Sequence, residues 1–475
     1  MNVLGARLVV AGTRSGAGKT TVACGLMAAF RRRGHQVASA KVGPDFIDPG
    51  YHSVATGRPP RNLDPWMCGT ELMGPLAARA GDGADLLVVE GGMGLFDGAV
   101  DGTPSSTAEV AKRIDAPVVL VVDTSAMGQS IGALVQGFRT WDSAVRVAGV
   151  VLNMVGSDNH EKMLRGVLAD CGMPVYGVLR RDDRLQWRSR YLGLQPVAED
   201  PAAVRAGLDR LAVAVSSRCD LDGLLRLARS APRLPVAQPP RPRRLPGGRS
   251  PQVAVASGRA FSFSYPDNLE ALACAGADVV VFDPCSDEAL PAGTDAVLVG
   301  GGFPELFADT LADNVPMLRS VAEHHRRGGV IWAECGGLLW LTRSLDGFPM
   351  AGVLDADATI GDRRVLGYRS ATTTCASPLG PAGTALRGHE FHYSTTEPAG
   401  DALVLRGRDG TTTGGFASPR LLASYLHLHL AAYPSVAEAF VSTAARVPSR
   451  RVPARPVPSR RVPACPVPAS HGRGT

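Results

Sequence analysis

The stretch 331-IWAECGGLLWL-341 places one cysteine between an apolar run and two glycines, with a second apolar run behind them. It reads as strand, turn, helix, with Cys335 at the turn. That position predicts an exposed sulfur beside a helix N-terminus, whose partial positive charge and N–H groups favour the thiolate. A strand-to-helix turn is how several hydrolases present a nucleophile. A nucleophile also needs a base and donors for a developing oxyanion. The glycine-rich strand end 299-VGGGFPE-305 offers backbone donors at Gly301 and Gly302. The base must be a histidine, and two segments supply one: 388-GHEFHYS-394, with His389 and His392, and 422-LASYLHLHLA-431, with His427 and His429. Alternate residues of a strand face the same side, so His427 and His429 are expected to point the same way.

A second constellation lies 300 residues earlier, at 12-GTRSGAGKTT-21. Gly16 and Gly18 let backbone N–H groups turn inward around phosphate oxygens. Lys19 brings a point charge to the β and γ phosphates, and the Thr20 hydroxyl can ligate Mg²⁺. The motif departs from the standard loop: Thr13 stands six residues before Lys19, where a glycine is expected, and the leading glycine is Gly12. Such a site needs a carboxylate for the metal, and Glu90, ending 84-ADLLVVEGG-92, sits where α/β sheets place ligand groups. In 41-KVGPDFIDPGYH-52, Asp45 and Asp48 flank a compact Gly/Pro-rich segment with Lys41 and His52 beside it. Asn153, ending VVLN, could read a nucleotide base.

The elements that must carry these residues follow from hydrophobic texture. ARLVVA (6–11) reads as a buried strand, followed by the Gly-rich turn and a helix from about Lys19 to Arg33. HQVASAKV, ADLLVVEGG, APVVLVVDT and VRVAGVVLNMV are further Val/Leu-rich runs, most separated by helix-sized segments, which is the pattern of a parallel sheet covered on both faces. Around 230–251 the chain turns Pro/Arg-rich and aperiodic, as an exposed interdomain linker does. A second alternating set then begins: VAVASG, DVVVFDP, AVLVGGG and GVIWAEC. The expected fold class is α/β, with two domains that are each a mostly parallel sheet flanked by helices. Their expected spans are 1–232 and 252–445, joined by a linker at 233–251. The remainder, 446–475, contains a near-repeat, VPSRRVPARP then VPSRRVPACP. It cannot bury an apolar face, so it is expected to be disordered.

Composition narrows the function. The formal charge of +6 is carried by the tail, whose seven arginines face no acid. Without them the body is near −1, so no nucleic-acid footprint is expected. The nine cysteines are scattered, with no CxxC pair and no zinc-ligand spacing, which predicts a reduced, cytoplasmic setting. The N-terminus lacks the order of a signal peptide, and no apolar run approaches the roughly 20 residues that span a bilayer.

Taken together, the motifs resemble a known family. The Cys-Gly-Gly turn, the GGFPE loop and the late SYLHLH strand resemble class I glutamine amidotransferase domains of the cobyric-acid-synthase branch, and GTRSGAGKTT resembles the loop of dethiobiotin-synthetase-like ligases. KVGPDFIDPGYH, TGRPPRNLD and EGGMGLFDG, with AECGG and GHEFHYS, resemble the cobyrinate/hydrogenobyrinate a,c-diamide synthase family, in family order over about residues 5–440. The resemblance implies that Cys335, assisted by His427, releases ammonia from glutamine. It implies that ATP·Mg²⁺ phosphorylates the a and c acetate carboxylates of a corrinoid, and that ammonia displaces the phosphate. Lys19 and Thr20 carry over to phosphate and Mg²⁺, Glu90 to Mg²⁺, and Asp45 to the reacting centre. Asp48, His52 and Asp97 lie in family segments. Free ammonia is mostly protonated at neutral pH, so an internal passage between domains is also expected. The oligomeric state is left open, a homodimer included.

Some residues depart from the family pattern. Arg14 stands where a smaller polar residue is usual, Gly92 where valine is expected and Tyr191 where histidine is expected, and LRRDDRLQW lacks a proline. Two rivals accompany the main reading: cobyric acid synthase, which amidates other side chains of the same macrocycle, and a partition-type ATPase with a dead amidotransferase domain. Arg14, at the position of the signature lysine of such ATPases, favours the latter.

Overall fold

The structure is a computed structural model that describes residues 2–99, 102–185, 187, 189–190, 193–245, 249–448 and 460–461. Tyr191 and nearly all of the tail lie outside the described residues. The chain divides into two compact units, 1–239 and 240–475.

In the first unit the Val/Leu-rich runs become strands of a single seven-stranded sheet. The strands are β2 (Arg7–Gly12), β3 (Val37–Val42), β4 (Arg61–Leu63), β5 (Leu86–Glu90), β6 (Val118–Asp123), β7 (Val147–Val155) and β8 (Val175–Arg180), in the order β4-β3-β5-β2-β6-β7-β8. Every pairing is parallel. All six residues of β2 and of β3 are buried, which is why these runs are near-continuously apolar rather than alternating. Helices α1 (Lys19–Arg32), α2 (Ile47–Thr56) and α3 (Pro201–Arg218) follow the strands. The buried face of α1 packs through Val22, Leu26 and Phe30 into a core shared with Leu208 and Val215 of α3.

One short element lies where the sequence indicated linker. β9 (Leu234–Val236) pairs antiparallel with β1 (Asn2–Leu4), so the chain's Pro/Arg-rich texture begins before its hydrogen bonding to the first unit ends.

The second unit contains two sheets. Five strands of the first run parallel: β10 (Gln252–Ala256), β11 (Asp278–Phe282), β12 (Thr294–Val299), β13 (Val330–Glu334) and β17 (Leu421–Ser424). Its edges are antiparallel, with β16 (Phe416–Ser418) at one and the two-residue β19 (Arg460–Arg461) at the other. The second sheet is mostly antiparallel and is built on two long strands, β14 (Asp357–Thr373) and β15 (Ala385–Glu397), with β18 (His427–Leu428) alongside β15. The sequence did not show this sheet. β14 has mostly half-buried or exposed residues and no continuous apolar run; the strand is held by its neighbour's backbone rather than by its own hydrophobicity. Helices α4 (Gly336–Leu341) and α5 (Pro434–Ala445) cover the parallel sheet.

Among the described residues seven cysteines are free thiols, whereas Cys274 is disulfide-bonded, a departure from the reduced setting expected. Among the described residues no helix is long and apolar enough to cross a membrane.

Candidate functional site

Both constellations sit at carboxyl ends of parallel strands, where ligand groups gather in open α/β sheets. In the second unit β13 ends at Glu334 and α4 begins at Gly336, leaving Cys335 as the single residue of the turn. Its backbone adopts φ 50°, ψ −107°. A non-glycine residue there stores on the order of 1–3 kcal/mol of strain, which only a rigid surrounding sustains. The surrounding is rigid: the Cys335 N–H donates to the Ser424 carbonyl at 2.8 Å, continuing the β13–β17 ladder into the turn. The thiol is not exposed as expected. Cys335 is 6% accessible, and its Sγ donates to the Phe391 carbonyl at 3.8 Å, because the antiparallel sheet lies over the turn.

His427 faces this thiol. Its Nδ1 lies 3.5 Å from Glu334 Oε2, and its ring stacks on His389 with centroids 4.9 Å apart. A Cβ at Gly301 would lie 2.5 Å from His427 Cε1, 3.3 Å from Nε2 and 3.5 Å from Cys335 Cβ. The glycine is therefore what lets the strand end pass beside both groups. Burial opposes a charged imidazole, yet contacts with Cys335 and Glu334 push His427 up to about 10. Burial also raises Glu334 against the pull of His427 and of the Leu428 N–H. Both shifts favour a proton held between the two side chains. The other histidines are placed elsewhere. His429 stacks on Tyr265 and lies 3.9 Å from Asp267. His392 stacks on Tyr425 at 3.7 Å and is drawn by burial down to about 4.

In the first unit the loop 12–18 leads from β2 into α1, and Gly18 takes φ 94°. A Cβ there would strike Asn153 Nδ2 at 2.1 Å. Beside the loop, Lys41 on β3 is registered with Glu90 on β5. Lys41 Nζ donates to Asp48 Oδ2 at 2.6 Å, to Glu90 Oε1 at 2.9 Å and to the Gly91 carbonyl at 3.1 Å. Thr20 Oγ1 donates to Glu90 Oε1 at 2.7 Å and lies 3.4 Å from Asp48 Oδ2. His52 Nε2 meets Glu90 Oε2 at 2.6 Å. Asp48 and His52 lie four residues apart on α2, so one helix face brings both to the cluster. Burial opposes ionisation of Glu90, but Lys41 and His52 outweigh it and hold the carboxyl well below its usual range. Burial pushes Asp48 up against the pull of Lys41. Burial and then the Lys41 charge lower Lys19 to about 8.

The two sites have independent counterparts. Residues 8–192 match the CobQ/CobB/MinD/ParA nucleotide binding domain family, and residues 252–434 match the CobB/CobQ-like glutamine amidotransferase domain family. The chain is 49% identical to the hydrogenobyrinate a,c-diamide synthase of Streptomyces coelicolor, a match covering 92% of this chain and 96% of that relative. The chain belongs to the cobyrinate/hydrogenobyrinate a,c-diamide synthase family. Two further members are 45% identical, the hydrogenobyrinate a,c-diamide synthase of Thermobifida fusca, and 44% identical, the cobyrinate a,c-diamide synthase of Syntrophotalea carbinolica. Each match covers 92% of this chain, with 97% and 98% of the relatives.

In this a,c-diamide synthase family member, the residues singled out from sequence sort into those at a site's centre and those supporting it. Cys335, His427 and Gly301 converge, as do Thr20, Asp48 and Glu90, with Lys19 extending beside them to the Arg14 carbonyl at 3.2 Å. Gly12 lies under the Lys19 stem: a Cβ there would come within 2.9 Å of Cγ. Thr13 is tied by its N–H to the Val121 carbonyl at 3.3 Å. Asp97 Oδ2 accepts from the Gly94 N–H at 2.9 Å. Asn153 lies beneath the loop, its Nδ2 donating one N–H to the Ala17 carbonyl at 3.1 Å. Asp45 Oδ1 accepts from the N–H groups of Ile47 and Asp48 at 2.7 and 3.1 Å, capping α2. His52 is fully buried against Glu90.

The oxyanion expectation changes at one residue. The Gly301 N–H donates to the Phe263 carbonyl at 3.2 Å, which turns it away from the thiol. Gly302 N instead lies 3.1 Å from the position a Cβ on Gly336 would take, against the elbow. Two residues were missed as site members. In sequence Lys41 stands only as a neighbour of the acidic segment, though a lysine near the end of a buried apolar strand is itself a signal of a paired charge. Glu334 was read as part of the strand.

Proposed function

We propose that this chain is an ATP- and glutamine-dependent a,c-diamide synthase acting on hydrogenobyrinate or cobyrinate. The observation that carries the reading is the buried Cys335–His427 pair on a strained turn, in a chain that also bears a phosphate loop. The Cys335 thiol gives its proton to His427, and the sulfur attacks the side-chain amide carbon of glutamine. The developing oxyanion is met by backbone N–H groups near Gly302. His427 returns the proton to the leaving nitrogen, so ammonia departs and an acyl-thioester stays, and water then hydrolyses it to glutamate. In the first unit the chain N–H groups of Gly16 and Gly18 and the Lys19 ammonium hold the triphosphate. A corrinoid acetate oxygen attacks the γ-phosphorus and expels ADP. Ammonia then attacks the acyl phosphate carbon and expels phosphate, giving the amide.

Mg²⁺ fits the first site by its donors: the Thr20 hydroxyl lies 2.7 Å from a Glu90 oxygen and 3.4 Å from an Asp48 oxygen, and such an ion takes one or two carboxylates plus phosphates. Bound there, it would neutralise charge on the β and γ phosphates.

The test offers hydrogenobyrinate and cobyrinate separately with ATP and glutamine, and counts added amides by mass. Two amides on one of them, dependent on both co-substrates, is the expected result. Amidation at other side chains would favour the cobyric acid synthase reading, and ATP hydrolysis indifferent to glutamine and corrinoid would favour the partition-type reading.

A further inference from the structure

Among the described residues, the carboxylate that meets a ring nitrogen of His427 belongs to Glu334, at 3.5 Å from Nδ1. It comes from the residue immediately before the nucleophile. Consecutive side chains in a strand point to opposite faces, and the reversal at Cys335 (φ 50°, ψ −107°) allows neighbours in sequence to reach the same imidazole. Both carboxylate oxygens of Glu334 are used: Oε2 faces Nδ1, and Oε1 accepts the Leu428 N–H at 3.2 Å. The side chain thus fixes the histidine ring and the strand that carries it. Just past the end of β18, His429 turns instead to Tyr265 and Asp267. On β15, Glu390 is paired with Arg369 at 2.8 Å.

We infer that Glu334 is the positioning carboxylate of the thiol centre, holding Nδ1 of His427 protonated so that Nε2 is presented to Cys335. The inference rests on the glutaminase reading of Cys335. A side chain in this role does not touch the substrate. It selects the imidazole tautomer and stabilises the imidazolium formed when the thiol gives up its proton; an acid in the wrong state costs such centres orders of magnitude in rate. The other titratable groups facing His427 are Cys335 itself and, from β15, His389, Glu390 and His392. Burial draws His389 and His392 toward their neutral forms, which leaves Glu334 to balance the imidazolium.

The experiment uses the full chain with Glu334→Gln and Glu334→Asp. Three quantities are read: kcat and KM for glutamine hydrolysis, the pH dependence of Cys335 alkylation by iodoacetamide, and the thermal midpoint. Glu334→Gln is expected to lower kcat by roughly 100-fold or more with little change in KM. It should also raise the pH midpoint of alkylation by about one unit or more, as the imidazolium loses its partner. Glu334→Asp should recover at least about tenfold of the lost kcat. An alkylation midpoint unmoved in both variants, with activity falling only in step with the thermal midpoint, overturns the inference and leaves Glu334 a structural residue. Full glutamine hydrolysis by Cys335→Ser would instead remove the glutaminase reading on which it rests.

Discussion

Glu90 and Glu334 occupy equivalent positions in the two units. Each ends a central parallel strand, each is at most 5% exposed, and each meets a histidine. Their surroundings differ in charge. Glu90 has Lys41, His52 and Thr20 around it and is held ionised. Glu334 has a single ring nitrogen at 3.5 Å and one backbone N–H, and burial raises it. The same strand-end geometry thus produces a fixed anion in one unit and a proton-sharing pair in the other. Saturation with donors makes a carboxylate an anchor; one long contact makes it a partner in proton transfer.

The largest effect should come from the thiol. Cys335→Ala is expected to reduce glutamine hydrolysis by at least about 10³-fold, while external ammonium salt restores corrinoid amidation. Failure of ammonium to restore it would show that the two units are not divided by chemistry as the comparison supposes.

Next is the anchor. Lys41→Met leaves Asp48 and Glu90 buried without their cation. Breaking a buried pair on one side typically costs about 3–5 kcal/mol, read as a drop of roughly 10 °C in the unfolding transition. The matched change in the second unit, Gly301→Ala, should act on rate more than on stability. Its methyl would sit 2.5 Å from His427 Cε1, and relief of that contact displaces the ring from Cys335. Glutamine turnover should fall about 10- to 100-fold with a small change in thermal midpoint. A large loss of stability from Gly301→Ala, or a small one from Lys41→Met, would erase the contrast.

Proton sharing also predicts a pH signature. His427 is raised from 6.5 to about 10 in the folded chain. Such a group contributes stability that is fully present below its unfolded value and is lost as pH rises toward the folded one. Between pH 6.5 and about 8.5, before free thiols titrate, the thermal midpoint of the wild-type chain should fall relative to that of His427→Gln. The difference is expected to reach on the order of 1 kcal/mol. Parallel curves for the two proteins would remove the proton from the pair.

Much of this is legible in the sequence alone. The phosphate loop, Glu90 and the Cys335 turn are local signals, each contained in about ten residues whose spacing states the geometry. What escaped was contact between distant segments. Lys41 and Glu90 are 49 residues apart and Glu334 and Leu428 are 94 apart; nothing in either local pattern records the partner. The burial of Cys335 has no local signal for the same reason. β15, whose Phe391 carbonyl meets the thiol, is paired through backbone with β14, and β14 carries little hydrophobic pattern of its own. His427 and His429 share a parity in sequence but not a neighbourhood, since β18 ends after Leu428.

The smallest effect is expected at Arg14, and it bears on the loop rather than on either carboxylate. Arg14 Nη2 lies 2.7 Å from Asp123 Oδ2 at the end of β6, with the arginine side chain 63% exposed. In sequence its position matches the signature lysine of partition-type ATPases. Within this unit the guanidinium instead has an intramolecular partner, and Nη1 donates to the Ser15 carbonyl at 3.2 Å. An exposed pair of this kind contributes about 0–1 kcal/mol, screened by salt. Arg14→Ala should therefore shift the thermal midpoint of the first unit by no more than about 2–4 °C. The shift should be smaller still in 0.5–1 M salt, where the screening length is only a few ångströms. Lys41→Met should keep most of its effect under the same salt, because its pairs are buried. If both variants respond alike to salt, the distinction between an anchored interior cluster and a screened surface contact fails at the phosphate loop.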